Sequence, residues 1–262
     1  MRLAVESKSV HAGTGGFPID IAKPLTVFVH GAGMDHTVWA LQTRYFANHG
    51  QSVLAVDMPG HGRSDGPALT SVGAMADWLG QLIGAAGFEQ AMLVGHSMGA
   101  IATLEAAARH PDQVRKLALL GAAPTMPVHP DLLAAARDDI DLAVQFIVSW
   151  AYGTRAHIGG TQAPGLWMLA GGRRLLHQAA PGVLATDFAA CADYAGGAAA
   201  AARVRAPTLI LCGDSDRMTP ARESRKFEAA IAEARLVMIP GGGHMMMVEQ
   251  PDATLDALKA FL

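Results

Sequence analysis

A mostly parallel β-sheet with helices on both faces is the fold class this sequence predicts, an α/β domain. Three observations predict it. Short apolar, β-branched runs carry hydrophobicity without alternation, as strands buried on both faces do. Those runs alternate with longer stretches of helical periodicity, which argues for a doubly wound sheet. The 262 residues are 51% hydrophobic and 16% charged, against about 25% charged in an average domain, so a sizeable core can be buried. Global disorder is excluded.

The elements follow in order. The first 24 residues are Gly-rich and weakly periodic, and read as an antiparallel edge. Residues 25–29 (LTVFV) and 53–57 (VLAVD) are the first buried strands. A helix is predicted at 72–86, a strand at 91–94 (AMLV), a helix at 98–110 and a strand at 116–120 (KLALL). There the rhythm breaks, and no strand signal recurs until 208. Helical patterns fill 132–150, 164–178 and 183–202 and hold two of the four tryptophans, Trp150 and Trp167. An insert of this length on the loop side of a sheet reads as a lid over a pocket. Residues 122–204 are therefore expected to form a helical cap, and 1–121 with 205–262 the core domain. The alternation resumes with a strand at 208–212 (TLILC), a helix at 223–232, a strand at 235–239 (RLVMI) and a helix at 253–262. There is no internal repeat.

Charge and cysteine content narrow the function classes. Twenty basic and 23 acidic residues leave a net charge of −3, so a basic footprint for nucleic acid is lacking. No run of about 18 apolar residues suggests a membrane span. Arg2, Glu6 and Lys8 stand where the apolar core of a secretion signal would sit. Two cysteines, Cys191 and Cys212, make neither a disulfide framework nor a thiolate metal site. A cytoplasmic protein acting on a small molecule is expected, with no membrane or nucleic-acid partner, no metal and no cofactor.

The strongest chemical signal is Gly95-His96-Ser97-Met98-Gly99, set between the strand AMLV and the helix-forming MGAIATLEAAARH. A strand–turn–helix crossing this tight needs residues without bulky Cβ atoms two before and two after its apex. The apex serine is then raised at a helix N-terminus, where an anion is favoured. A serine hydroxyl is a weak nucleophile and needs a base. Of eleven histidines, His244 stands out, because the run Pro240-Gly241-Gly242-Gly243 lets its loop approach closely. The base needs an acid to fix its tautomer, and Asp214 and Asp216 both follow the strand TLILC at the sheet's C-terminal edge. The small-residue loop His30-Gly31-Ala32-Gly33 follows LTVFV, and the N–H groups of Ala32 and Met98 are candidates to bind an oxyanion.

HGAGMDHTVW, DMPGHGRSDG, GHSMG, GDSDRMTP and GGGHMMMVEQP, in this order, resemble the α/β-hydrolase fold family across the chain outside the insert. The resemblance implies a triad in the order serine, acid, histidine: Ser97, an aspartate of GDSDRMTP, and His244. The family's acid stands fourth in a G-x-x-D-x-x-x-P pattern, which implies Asp216 rather than Asp214. Ala32 and Met98 match the family's oxyanion positions, and His61 and Arg63 fall in a recurring structural loop. Ser97 excludes the dehalogenases and epoxide hydrolases of this fold, which use an aspartate nucleophile. HGAGMD departs from the H-G-x-G-P-G loop usual in C–C bond hydrolases.

A serine hydrolase cleaving short- to medium-chain neutral carboxylic esters through an acyl-enzyme is therefore expected. Alternatives are a lactonase, a C–C bond hydrolase of a ring-cleavage pathway, a cofactor-free haloperoxidase or perhydrolase, and a non-catalytic receptor-like relative. A metal hydrolase built on His30, Asp35, His36 and His61 matches no compact signature. Met34, Trp150, Trp167 and Met245 are candidate pocket residues, since Met fills irregular apolar space. No Arg or Lys stands where the sequence alone would place it on a substrate carboxylate.

Overall fold

The protein is described by a computed structural model covering residues 1–160 and 167–262. Eight strands form its sheet: β1 (Arg2–Val5), β2 (Lys8–Gly13), β3 (Leu25–Val29), β4 (Ser52–Val56), β5 (Ala91–His96), β6 (Val114–Leu120), β7 (Thr208–Gly213) and β8 (Ala234–Ile239). Their spatial order is β1-β2-β4-β3-β5-β6-β7-β8. The first two are the expected antiparallel edge, and β4 through β8 with β3 run parallel. Every residue of β3, β4, β5 and β7 is buried, which is why their sequences show no alternation.

Helices α1 (Ala40–Asn48), α2 (Val72–Ala85) and α3 (Met98–Arg109) come between the early strands. Among the described residues six more lie between β6 and β7: α4 (Pro130–Asp138), α5 (Ile140–Ala151), α6 (Thr154–His157), α7 (Met168–His177), α8 (Val183–Ala192) and α9 (Gly197–Ala201). The chain closes with α10 (Ala221–Ala230), α11 (Met246–Glu249) and α12 (Pro251–Lys259). Helices α2, α3, α9 and α10 pack against one another in series, and α1 packs on α12. Among the described residues no helix is long and apolar enough to cross a membrane.

Helix α1 has no counterpart in the sequence reading. Its buried side is Gln42, Thr43, Phe46 and Ala47, so no apolar stripe marks it. Gln42 is tied internally on one side, its Nε2 donating to the Met247 carbonyl at 2.9 Å. The predicted helix 132–150 is two helices, because Asp139 leaves helical geometry and its carboxylate accepts the Leu142 N–H at 3.1 Å, capping α5. The predicted helix 183–202 is also two. Tyr194 lies in the gap, and its hydroxyl donates to Glu105 Oε2 at 2.7 Å. Positions 164–166 of the predicted helix 164–178 lie outside the described residues, and α7 accounts for most of the remainder.

Candidate active site

Strand β5 runs directly into α3 through Ser97, whose φ of 54° and ψ of −118° lie outside the usual L-residue regions. The Ser97 N–H is held by the Leu120 carbonyl at 2.9 Å. The crossing depends on its two glycines. A Cβ on Gly95 would collide with the Gly99 carbonyl oxygen, and one on Gly99 would lie 2.5 Å from the Val29 carbonyl oxygen. The spacing requirement read from the sequence is thus a steric one.

His244 and Asp216 come from the loops after β8 and β7. His244 Nδ1 lies 2.9 Å from Asp216 Oδ2, with both side chains buried. Asp216 is fixed by its own loop: Oδ1 accepts the Met218 N–H at 2.9 Å and the Thr219 N–H at 2.8 Å, and Oδ2 accepts the Thr219 hydroxyl at 2.7 Å. Burial alone would raise the Asp216 pKa, but the charge and hydrogen bond of His244, with the Thr219 bonds, hold it below the ordinary value. Asp214 is exposed and serves the loop, accepting the Gly241 N–H at 2.9 Å and the Ser215 hydroxyl at 3.0 Å. Among the described residues His244 Nε2 is buried and has no hydrogen-bond partner. It belongs to a ring that lines the same cavity as Ser97.

That cavity has a volume of about 620 Å³. Ala32, Ser97 and His244 line it from the sheet's loops, and Ala123, Met126, Val128, Leu132, Phe188 and Cys191 add an apolar wall. Gly31 presses on the serine turn, since a Cβ there would lie 3.2 Å from Ser97 Cβ. Of the four predicted pocket residues, only Trp150 lines the cavity, held by a stack on Phe146 with ring centroids 5.1 Å apart. Met34 and Met245 are instead buried in the core. Trp167 is 61% exposed and lines nothing there. Sequence proximity to a motif does not fix which way a side chain faces. Arg217 and Arg222 do line the cavity, against the expectation that no cation is so placed. Arg217 follows Asp216 on the same turn, and Arg222 stands in the first turn of α10.

Further histidines and acids surround these residues or stand apart from the cavity. Burial lowers the His30 pKa to about 3, leaving a neutral ring that donates from Nδ1 to the Gly31 carbonyl at 2.8 Å and accepts the Met58 N–H on Nε2 at 3.1 Å. His96 is likewise pushed down by burial, and its Nε2 bonds the His244 carbonyl at 3.0 Å. Burial would also lower His61, but the hydrogen bond and charge of Asp187 lift it above the ordinary value. Both His61 nitrogens face acceptors, Nδ1 the Pro59 carbonyl at 3.0 Å and Nε2 the Asp187 carboxylate at 2.8 Å. This geometry suits an imidazolium. His11, His36 and Asp57 form the metal-compatible group found among the described residues. His36 Nδ1 already bonds Asp57 Oδ1 at 2.7 Å, and none of the three lines the cavity.

The His61–Asp187 pair carries a stability prediction. A raised native pKa means that its contribution is fully present below about 6.5 and fades as the pH rises through the native value. Removing one partner of a buried pair costs about 3–5 kcal/mol, and Gln, which still donates one bond, should fall at the lower end. The gap in Tm between wild type and His61→Gln should be widest near pH 6 and narrow as the pH rises above the ordinary histidine value. Thermal melts across that range measure it.

A serine at a strained strand–helix crossing, a buried aspartate–histidine pair and a cavity at the C-terminal edge of a parallel sheet define a hydrolase of the α/β fold. A family model described as alpha/beta hydrolase fold matches residues 24–251, and the chain belongs to that family. It is 30% identical to a protein of Klebsiella pneumoniae whose name is "Putative carbamate hydrolase RutD", over 91% of this chain and 92% of that protein. It is 25% identical to the (E)-2-((N-methylformamido)methylene)succinate hydrolase of Acinetobacter baylyi, over 90% of this chain and 89% of that protein. Among solved structures, a thermophilic esterase superposes with a TM-score of 0.82 at 26% identity, covering 100% of this chain and 96% of that one.

Proposed function

We propose that the protein is a serine esterase that cleaves carboxylic esters through an acyl-enzyme, with Ser97, Asp216 and His244 as its triad. The observation that carries this reading is the unpartnered, buried His244 Nε2, aligned from behind by Asp216 in the cavity that holds Ser97. In this mechanism Ser97 Oγ attacks the ester carbonyl carbon while His244 Nε2 takes the hydroxyl proton. The Nδ1–H stays on Asp216, which stabilises the imidazolium. The N–H groups of Ala32 and Met98 receive the oxyanion. Collapse expels the alcohol with the proton from His244, and water repeats the sequence to release the acid. We read 122–204 as a cap whose apolar wall selects the acyl group, and the cytoplasm as the setting in which Cys191 and Cys212 stay reduced.

A fluorophosphonate probe should label wild type at Ser97, and chelators should leave turnover unchanged. Among nitrophenyl esters of increasing acyl length, short to medium chains should give the highest kcat/KM, as the apolar wall suggests. A second reading has one observation behind it, Arg217 and Arg222 in the cavity wall. Relatives named for a succinate derivative and for carbamate hydrolysis make a carboxylate-bearing or non-ester substrate its concrete form. A half-ester of a dicarboxylic acid that outperforms every neutral ester, and loses that advantage in Arg217→Ala, would move the assignment there. A lactone or vinylogous diketone preferred to all esters would move it to a lactonase or a C–C bond hydrolase.

A further inference from the structure

The turn that carries Ala32 is gripped from the cap. Residues Gly31 to Met34 close a turn through the Met34 N–H to the Gly31 carbonyl at 3.2 Å, with Gly33 at φ 66°. The Gly33 N–H donates outward to Asp187 Oδ2 at 2.8 Å, a contact spanning 154 residues of sequence. Asp187 is fully buried on α8, and the same oxygen accepts the His61 Nε2–H at 2.8 Å. Leu184, one turn earlier on α8, packs so closely on Gly33 that a Cβ there would meet its Cδ1 at 2.7 Å. The neighbours Phe188 and Cys191 line the cavity. One helix thus forms part of the acyl wall and holds the oxyanion turn.

We propose that Asp187 is a positioning residue that sets the Ala32 N–H for the oxyanion by fixing the Gly33 peptide, and so couples the cap's wall to the chemical step. This rests on the ester-hydrolase reading. A buried ion pair contributes little net stability compared with apolar residues of similar volume, so stability alone is a poor account of a carboxylate here. Orientation is a better one. Backbone donors act on an oxyanion only when held at the right place before reaction, and the loss of one costs about 10²–10³ in kcat. A turn that is loosened rather than lost should cost less than that.

The test compares wild type, Asp187→Asn and Asp187→Ala on a nitrophenyl ester, with active sites counted by fluorophosphonate titration so that misfolded protein drops out. A trifluoromethyl ketone, which adds to the serine as a tetrahedral adduct, supplies a second readout. Per titrated site, Asp187→Ala should lower kcat by about 10- to 100-fold with KM within about threefold, and ketone affinity should weaken by a similar factor. Asp187→Asn keeps an oxygen acceptor but loses the charge, and should fall between the two, about fivefold down in both readouts. Unchanged kcat per site and unchanged ketone affinity, with only a lower Tm, would overturn the proposal and leave Asp187 as a structural tie. If Asp187→Ala yields no titratable sites, Asp187→Asn decides by the same criterion. Failure of the esterase reading looks different: wild type itself would then neither label nor turn over the ester.

Discussion

Ser97→Ala is expected to lower turnover by about 10⁴-fold or more while leaving the fold intact, with residual rate supplied by the oxyanion donors and binding alone. The expectation follows from the geometry of the crossing. Ser97 stands at φ 54° between two glycines, and its N–H is bound to Leu120. Alanine meets the same backbone demand, so the variant isolates the hydroxyl. Steady-state kinetics, phosphonate labelling and Tm together make the check. Activity equal to wild type would sink the triad, because no other serine, threonine or cysteine combines that turn with a free histidine nitrogen among the described residues. Of the two cysteines, Cys212 is buried in β7, and burial pushes its thiol up to about 11. Cys191 reaches the cavity wall, but its thiol too is pushed well above its ordinary value by burial.

Asp216→Asn should be nearly as damaging, costing up to about 10⁴ in kcat, because an amide opposite Nδ1 favours the wrong imidazole tautomer. Asp214→Asn should cost far less, acting on stability through a weakened bond to the Gly241 N–H worth about 1 kcal/mol. The two aspartates sit two residues apart on one turn, so local disruption would affect both variants alike. What bears on the imidazole is the hydrogen bond to His244, which Asp216 makes. Measuring kcat and Tm for both settles the assignment; an inactive, well-folded Asp214→Asn would reverse it.

Much of this could be read in the chain because parallel strands leave a plain trace. Strands β3, β4, β5 and β7 show up as apolar runs, since burial of every residue erases alternation, and β6 and β8 keep apolar runs although they are partly exposed. The serine turn shows up because Gly95 and Gly99 are sterically compelled. Helix α1 left no such trace, because polar Gln42 and Thr43 occupy its buried side and donate hydrogen bonds to carbonyls that a pattern cannot reveal. The cavity wall was read worst. Met34, Met245 and Trp167 share composition with Trp150, but tertiary packing decides which of them faces the cavity. Asp187 and His61 were missed for a different reason. One stands within an Ala-rich helical stretch and the other in a loop resembling family scaffold, and only folding brings them to 2.8 Å.

The segment between β6 and β7 is fastened at a second place, and this bears on how such proteins diversify. The N–H groups of His244 and Met245 donate to the Ala151 carbonyl at 2.7 and 3.3 Å. Glu249 accepts the Gly153 N–H on one oxygen and the Gly243 N–H on the other, at 2.8 and 3.0 Å. The loop that carries His244 therefore takes part of its shape from residues of the segment between β6 and β7. An exchange of this segment between relatives is not the swap of an independent module. A chimera that keeps a backbone carbonyl at 151 and an amide at 153 inherits a histidine already in register. One that shifts either by a residue must rebuild the loop after β8 as well, so recombination breakpoints in this lineage should fall outside the stretch from Ala151 to Gly153.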